Sequence, residues 1–411
     1  MRHPNKSSLK SRRILRLRLV LVGLYVISNI FAAIMSLNTG ELSADFNGFA
    51  APQSSTIFVL LMGIVSAFLI VLFIMYSEFE RRMGIKGKYT AVSAPKAQVS
   101  LAVMAMQLIH LAYSMYYGAS IAGLVSKNES PLKYFYYIVS VDFLFLFYFA
   151  SSTTTRFTTL NSLIFICSNV LRGWTSGFLY LGFLVLIKTC ANRKFSLAKV
   201  CAFLIAGYAF LPLILYLKFY FRAIGGDIEI TELAKVSNIE SIDFEGITSL
   251  YTYSLFSLLD RLQHLSSLSA LVGSLEELRV KIDSGFIRMF YFEGFPGFAL
   301  YRLAGLADGY ELNTALVSML LNTDLLVSGY ATHVGIIGWP IVAYESIPVY
   351  LLFLFFLMYL SFKLVKYSDR TDINELNWLM WLLLLMHGWF GAFISYVVAG
   401  YIYFYCVKRV G

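Results

Sequence analysis

An arginine interrupts an otherwise apolar stretch near the middle of the sequence. The stretch covers residues 158–187, and its centre reads SNVLRGWTSGF, which places Arg172 and Trp174 among residues that would otherwise form a buried helix. Ionisable groups within apolar segments are costly and mark functional sites in membrane proteins. The guanidinium offers a planar fork of donors that matches phosphate or pyrophosphate oxygens. Anion binding is therefore the chemistry predicted for Arg172.

A second set of chemically capable side chains lies in the longest polar part of the chain. Four of them recur at helical spacing and would share one face of an amphipathic helix: Ser257, Asp260, His264 and Ser267. Arg261 lies next to this face. Two interpretations remain open, a solvated stripe with an Asp260–His264 pair or a polar ridge that lines a substrate groove.

Two further arginines and a histidine complete the candidates. Arg288 and Arg302 flank an aromatic stretch, RMFYFEGFPGFALYRLAGLADGY, which could stack rings on sugars or form an interfacial belt. His333 lies in ATHVGIIGW, directly before an apolar segment, and is expected at the membrane boundary. A histidine there can accept a proton at neutral pH. Several arginines beside aromatic residues favour a lipid-linked anionic substrate.

The composition is that of a membrane protein. Hydrophobic residues make up 58% of the 411 positions, charged residues make up 14%, and the mean hydropathy is +0.70. Apolar windows of about 20 residues, enough to cross a bilayer, recur along the chain. The net charge of +9 does not indicate nucleic acid, because basic residues cluster in short loops. The cysteines show no metal-like spacing, so we expect neither disulfide nor metal.

The positions of Lys and Arg predict which helix ends face the cytoplasm. Short basic segments stay on that side. They are the N-terminus, 78–99, 188–199, 363–370 and the terminal Lys408-Arg409. Helices at 98–123 and 134–152 cross the membrane twice between the basic segments 78–99 and 188–199. A single helix over 158–187 would make three crossings and leave one of these basic segments outside. The stretch 158–187 is therefore predicted to be a hairpin, with Arg172 at its outward tip in a cavity.

The last apolar stretch, 376–407, repeats the arrangement. Its midpoint reads MHGWFGAF, where the first hairpin has LRGWTSGF. Coincidence and a shared hairpin turn remain equally open as explanations. We expect an all-α, polytopic bundle of about ten helices, with both termini in the cytoplasm. The predicted helices are 14–36, 54–77, 98–123, 134–152, 158–171, 174–187, 199–220, 336–362, 376–388 and 391–407.

This map divides the chain into three parts. Residues 1–220 form an N-terminal transmembrane bundle of about seven helices, and 336–411 form about three more. Between them, 221–335 is predicted to be one large helical loop outside the cytoplasm, because its acids outnumber its basic residues. A loop of this length within a compact protein is usually functional.

The layout resembles that of the O-antigen polymerases, the Wzy type of oligosaccharide repeat-unit polymerase. The shared features are the helix number, the RGWTSG hairpin tip, the large loop in the second half and ATHVGIIGW entering the next helix. The resemblance covers nearly the whole chain and is architectural. The paired R-x10-G pattern of some members is absent.

The resemblance implies a glycosyltransferase of lipopolysaccharide biosynthesis in the bacterial inner membrane. Its partners would be an undecaprenyl-pyrophosphate-linked oligosaccharide, membrane lipid and a chain-length regulator protein, with no nucleic acid. Arg172, with Arg261 or Arg288, would hold the leaving pyrophosphate, and His333 would be the catalytic base. Arg302, Asp260, His264 and Trp174 are further substrate-binding candidates. No metal or other cofactor is expected, because arginines would neutralise the charge.

Three other functions are open. An O-antigen ligase would share the arginines and the loop histidine. A flippase or transporter for the same lipid-linked oligosaccharide usually shows two similar halves and no large external domain. A membrane acyltransferase would need an early Arg–His pair, whereas His110 lies in an apolar helix and is expected to pack in the core.

Overall fold

The protein is all-helical in the part of the chain that the structure, a computed structural model, describes. That part comprises residues 6–43, 46, 48–51, 54–84, 97–119, 121, 130, 132–153, 155–174, 176–192, isolated positions between 202 and 220, 244–305, 309–321, 332–368 and 370–410. The helices are α1 (Lys6–Thr39), α2 (Ser55–Arg82), α3 (Ala97–Tyr117), α4 (Leu132–Ile138), α5 (Val141–Ser151), α6 (Arg156–Leu171), α7 (Ser176–Asn192), α8 (Phe244–Asp260), α9 (Leu265–Gly273), α10 (Leu275–Asp283), α11 (Gly294–Leu303), α12 (Leu312–Leu321), α13 (Gly335–Val342), α14 (Ile347–Ser368), α15 (Thr371–Met380) and α16 (Phe390–Val410).

Five of these helical segments are long and apolar enough to cross a membrane. They are Ile14–Thr39, Ser55–Arg82, Ala97–Tyr117, Tyr344–Ser368 and Phe390–Arg409. The apolar helices confirm the membrane class. The count of ten and the location of 221–335 stay predictions. The predicted helix 199–220 falls largely outside the described residues, as do 221–243 and 322–331.

Two predicted helices are broken, so their predictions were wrong in part. The helix predicted over 134–152 is divided at Ser140, whose backbone is extended. After this break α5 has Asp142 in its first turn, where a carboxylate is favoured. The prediction 336–362 is divided after Val342. Pro340 has no N–H for the Ile336 carbonyl, which instead accepts a hydrogen bond from the Tyr350 hydroxyl at 2.5 Å.

The short helix α5 lies at the centre of the bundle. Every residue of α5 except Asp142 is buried, and a helix that is apolar on all sides must be enclosed by others. It packs against α3, α6, α7, α15 and α16. The carboxylate of Asp142 is therefore fixed at the end of the most enclosed helix.

Both predicted hairpins are present and share one turn. After α6, the Gly173 and Trp174 amides donate to the Val170 and Asn169 carbonyls at 2.9 and 2.8 Å, and Gly173 has φ of 70°. This is a Schellman motif, in which a residue of positive φ ends the helix. At the second tip, the Gly388 and Trp389 amides donate to Leu385 and Leu384 at 3.0 and 2.9 Å, and Gly388 has φ of 75°. The RGW and HGW sequences thus form the same backbone turn.

A buried ion cluster joins the two ends of the sequence. Arg18 donates to both oxygens of Glu375, at 2.9 and 2.5 Å, and to Glu80 at 2.8 Å. The side chains of Arg18 and Glu375 are 5% and 3% exposed. Asn374 also donates to Glu80, at 2.7 Å. The cluster therefore connects α1, α2 and α15 through the buried Arg18–Glu375 pair and the partly exposed Glu80.

We expect Arg18→Ala to destabilise the protein by about 3–5 kcal/mol, because it leaves the buried Glu375 carboxylate unpaired. Thermal unfolding of the purified protein in detergent measures this as a lower melting temperature. Arg16→Ala removes an exposed arginine two positions earlier in α1 and serves as the control. Equal melting temperatures for the two variants would contradict the role of the cluster.

Candidate functional site

Three histidines from distant parts of the chain meet in the interior. One ring nitrogen of each of His264, His333 and His387 lies within 4.8 Å of those of the other two. The residues are 0%, 2% and 4% exposed. Among the described residues, these three histidines form the group of possible ligands whose spacing could hold a metal ion.

His264 lies in a turn where a continuous helix was predicted. The structure ends α8 at Asp260 and starts α9 at Leu265, so the polar face proposed for Asp260 and His264 does not continue across the turn. Side chains take the place of helical hydrogen bonds here. Asn29 of α1 accepts from the His264 amide at 3.0 Å, and Gln263 accepts from the Ser266 amide at 3.0 Å.

His333 is held by the same turn. Its Nε2 lies 3.1 Å from the Gln263 carbonyl oxygen, so in the neutral ring Nε2–H donates and Nδ1 keeps its lone pair. The neighbouring Thr332 hydroxyl lies 2.8 Å from the Ser267 hydroxyl of α9. His333 lies directly before a helix, as its sequence context predicted, but its contact with His264 was not predicted.

His387, at the tip of the second hairpin, was missed as a site residue. A π-helical turn, Trp381–Leu385, precedes it, and the Met386 amide donates to Trp381 at 2.8 Å. The Leu382 carbonyl is thereby available and lies 3.0 Å from His387 Nδ1, while Nε2 lies 3.0 Å from the Arg261 carbonyl. The similarity of MHGW to LRGW was the signal that pointed to it.

Glycines allow the segments that carry these histidines to approach each other. A methyl group built on Gly388 would lie 3.0 Å from the Gly335 carbonyl oxygen, and one on Gly294 would lie 2.6 Å from the Gly391 Cα. The Ile336 amide donates to the Met386 carbonyl at 2.9 Å across the first of these contacts. Backbone therefore meets backbone around the cluster, with no room for side chains.

The three imidazoles are electrically neutral near pH 7. Burial lowers the pKa of His264 and of His333 well below the usual range, and the neighbouring histidines and, for His333, Arg261 lower it further. Burial also lowers the pKa of His387. A neutral ring has one N–H, so His387 can donate to only one of its two carbonyl neighbours.

His264 differs from the other two in its hydrogen bonding. Both of its ring nitrogens are buried without a hydrogen-bond partner among the described residues, although the His333 backbone lies nearby. Its ring packs beside that of Tyr25, with centroids 6.2 Å apart. Buried polar atoms without partners are rare and call for an explanation.

Arg172 lies in a different environment from the cavity expected for it. It is 2% exposed, and its Nη2 donates to both oxygens of Asp142 at 2.7 and 3.0 Å. Its Nε donates to the Ser168 carbonyl at 3.2 Å. Trp174 is 40% exposed. Asp142 was missed because it lies 30 positions earlier, in a helix with no other charge.

The other arginines do not converge on Arg172 in the contacts described. Arg288 pairs with Glu311 at 3.7 Å. The side chain of Arg261 is exposed, and only its carbonyl contacts the histidine cluster in the hydrogen bonds above. Arg302 lies in α11, and its side chain is outside the described residues. Site residues are therefore brought together around the histidines rather than around the arginines.

Aromatic residues lie between the Arg172 pair and the histidine cluster. The Tyr25 ring centroid is 5.7 Å from that of His387, and Tyr180 of α7 is close enough to interact electrostatically with both Tyr25 and Asp142. His110, by contrast, is buried beside Tyr136, with ring centroids 4.7 Å apart, as its apolar helix predicted.

No protein-family model, curated protein or solved structure matches this chain.

A buried carboxyl next to the site yields a pH prediction. Glu293 is 2% exposed and accepts from Trp339 Nε1 at 3.3 Å. Burial, and then the charge of Glu311, raise the pKa of Glu293 well above the usual range. A pKa raised by folding stabilises the fold below the unfolded value and loses that stabilisation as pH rises. The contribution of Glu293 to the stability of the fold should therefore fall as pH rises above 4.5, the ordinary pKa of a glutamate.

Glu293→Gln keeps the acceptor oxygen for Trp339 and cannot ionise, so its melting temperature relative to that of the wild type should rise as pH increases. Glu276→Gln, on the exposed face of α10, is the control and should leave the pH dependence of the melting temperature unchanged. A pH dependence for Glu293→Gln equal to that of the wild type would show that Glu293 is not responsible.

Proposed function

We propose that this protein is an O-antigen polymerase, a membrane glycosyltransferase. It would transfer a growing glycan from undecaprenyl pyrophosphate to a lipid-linked repeat unit at the periplasmic face of the bacterial inner membrane, with both termini in the cytoplasm. The supporting observation is the meeting of His264 and His333, from the polar segment, with His387, from the second hairpin, inside an apolar helical protein. In the proposal, these histidines supply the proton-accepting group that transfer to a sugar hydroxyl requires.

His333 supplies the base in this proposal. Its Nε2–H is directed to the Gln263 carbonyl, so Nδ1 is the nitrogen that accepts the proton of the acceptor hydroxyl. That oxygen forms a bond to the anomeric carbon of the donor glycan, and the bond from this carbon to the pyrophosphate oxygen breaks. The lowered pKa of His333 keeps the ring neutral, which is the form that a base requires.

Arginines stabilise the leaving pyrophosphate in this proposal. Arg261 lies in the same turn as His264, and its charge acts on His333, so in this proposal it is the cation that stabilises the reacting atoms. Arg172 is oriented by Asp142 and would bind the lipid pyrophosphate beside the first hairpin. Preorganised cations are effective because they need not reorient as negative charge develops. Arg288, Arg302 and Trp174 would contact the glycan.

A deletion strain tests the proposal against its alternatives. Loss of a polymerase leaves single repeat units on the lipid core, loss of a ligase leaves none, and loss of a flippase retains lipid-linked units inside the cell. We expect the first pattern on electrophoresis of the lipopolysaccharide. We expect plasmid-borne Arg172→Ala and His333→Gln to restore no polymer, since general base catalysis contributes about 10²–10⁴-fold in rate.

Two controls separate chemistry from folding. Glu276→Gln alters an exposed carboxylate of α10, away from the histidine cluster, and should restore long chains. The double variant Arg172→Ala, Asp142→Ala removes the ion pair as a whole, so that no carboxylate is left unpaired. Long chains from the double variant would show that Arg172 only neutralises Asp142, which contradicts the proposal.

A further inference from the structure

We propose that His264, His333 and His387 form a binding site for one divalent transition metal ion of the zinc class. Their ring centroids are 5.2, 4.5 and 4.8 Å apart. Nitrogens bound tetrahedrally at the usual zinc distance of about 2.0–2.1 Å would place ring centroids about 5 Å apart. The spacing of the three rings therefore matches that of a coordinated cluster, and each residue offers one ring nitrogen within 4.8 Å of the other two.

The unpartnered ring of His264 is the observation that points to a ligand. Both nitrogens are buried without a hydrogen-bond partner in the described part of the chain, and leaving such atoms unpaired destabilises the fold. An ion bound to one nitrogen would recover part of the lost stability. The backbone of His264 is fixed independently by Asn29, so the ring is held in the cluster whether or not a ligand is bound.

The other two histidines have the hydrogen bonds that metal ligands usually show. A ligating imidazole commonly donates its second N–H to a carbonyl, which fixes its orientation. His333 donates Nε2–H to Gln263 and keeps Nδ1. Both ring nitrogens of His387 lie 3.0 Å from a carbonyl oxygen, of Leu382 and of Arg261, so it keeps one of these hydrogen bonds and an ion on its other nitrogen replaces the second contact.

The donor set determines the kind of ion. Imidazole nitrogens suit zinc, cobalt, nickel, copper and iron, whereas magnesium and calcium require oxygen ligands. Three protein ligands leave a fourth position open. The cluster contains no carboxylate, and Arg261 adds positive charge nearby, so an anion such as hydroxide would occupy that position.

The consequence for activity rests on the proposed function. The ion takes Nδ1 of His333, the nitrogen that would accept the proton of the acceptor hydroxyl. Metal binding and base catalysis therefore exclude each other, and the metal-bound protein would be the inactive form. Metal binding itself does not depend on which reaction the protein performs.

Cobalt titration of the purified full-length protein tests the site. The protein carries a tag without histidine, is treated with a chelator, and receives Co²⁺ in detergent. We expect visible absorption bands typical of tetrahedral cobalt that saturate at one equivalent and disappear when Zn²⁺ is added. Bands that are absent, or that do not saturate at one equivalent, would overturn the proposal.

Matched variants assign the ligands. Loss of a residue that hydrogen-bonds to a metal ligand lowers metal affinity about 10–100-fold. His264→Ala removes a ligand itself, so its cobalt affinity should fall further than that. The fold should survive, because no described hydrogen bond uses this ring, and the melting temperature verifies that. His110→Ala should bind cobalt like the wild type. Equal affinity for His264→Ala and the wild type would overturn the site.

Polymer synthesis by the same preparation, with Zn²⁺ or with chelator, separates the two proposals. Inhibition by Zn²⁺ supports both. Saturable cobalt binding in a protein without transfer activity would leave the metal site standing and overturn the polymerase. Transfer that Zn²⁺ at saturation does not slow would contradict the assignment of His333 Nδ1 to both roles.

Discussion

Close approach of backbone to backbone at two pairs of glycines is the constraint on which the interior site depends. A methyl group on Gly294 would lie 2.6 Å from the Gly391 Cα, which excludes it, and one on Gly388 would lie 3.0 Å from the Gly335 carbonyl oxygen, which is tighter than most such contacts. Gly335, Gly388 and Gly294 also have positive φ, which other residues adopt only with strain. These contacts hold Gly294 and Gly335 against the tip of the second hairpin. His387 directly precedes Gly388 and His333 lies two positions before Gly335, so the approach of the backbones brings the two histidines together.

The two hairpin tips show how one backbone turn serves different chemistry. Both end a helix with a basic residue followed by a glycine of positive φ. At the first tip Asp142 supplies a counter-charge, and Arg172 forms a buried ion pair. At the second tip the neighbours of His387 are carbonyls and other histidines. The ring there is neutral and keeps a nitrogen for a proton or an ion, which makes this tip the reactive one in our account.

Sequence patterns predicted the local features of the fold. They failed where contacts between distant segments determine the structure. Hydropathy predicts the all-helical class and the five long apolar helices. A basic residue followed by glycine within an apolar stretch predicts the breaks at Arg172-Gly173 and His387-Gly388. The continuous helix through His264 was wrong, because Asn29 of α1 and Gln263 supply the hydrogen bonds that permit a turn. Pairing of Arg172 with Asp142, and of His387 with two histidines, requires the tertiary fold. Periodicity carries no information about contacts across 30 to 126 positions.

Packing of the polar segment onto the membrane helices is the central claim, and a disulfide measures it directly. The hydroxyl oxygens of Ser43, after α1, and Ser266, in α9, lie 3.0 Å apart, so cysteines at both positions have the proximity that a disulfide needs. With the four native cysteines replaced by serine, mild oxidation of Ser43→Cys, Ser266→Cys should yield the linked peptide in mass spectrometry. The pair Ser43→Cys, Ser284→Cys, which ends on the exposed end of α10, should not be linked. Failure of the first pair to form the disulfide, or equal linkage of both pairs, would contradict the account.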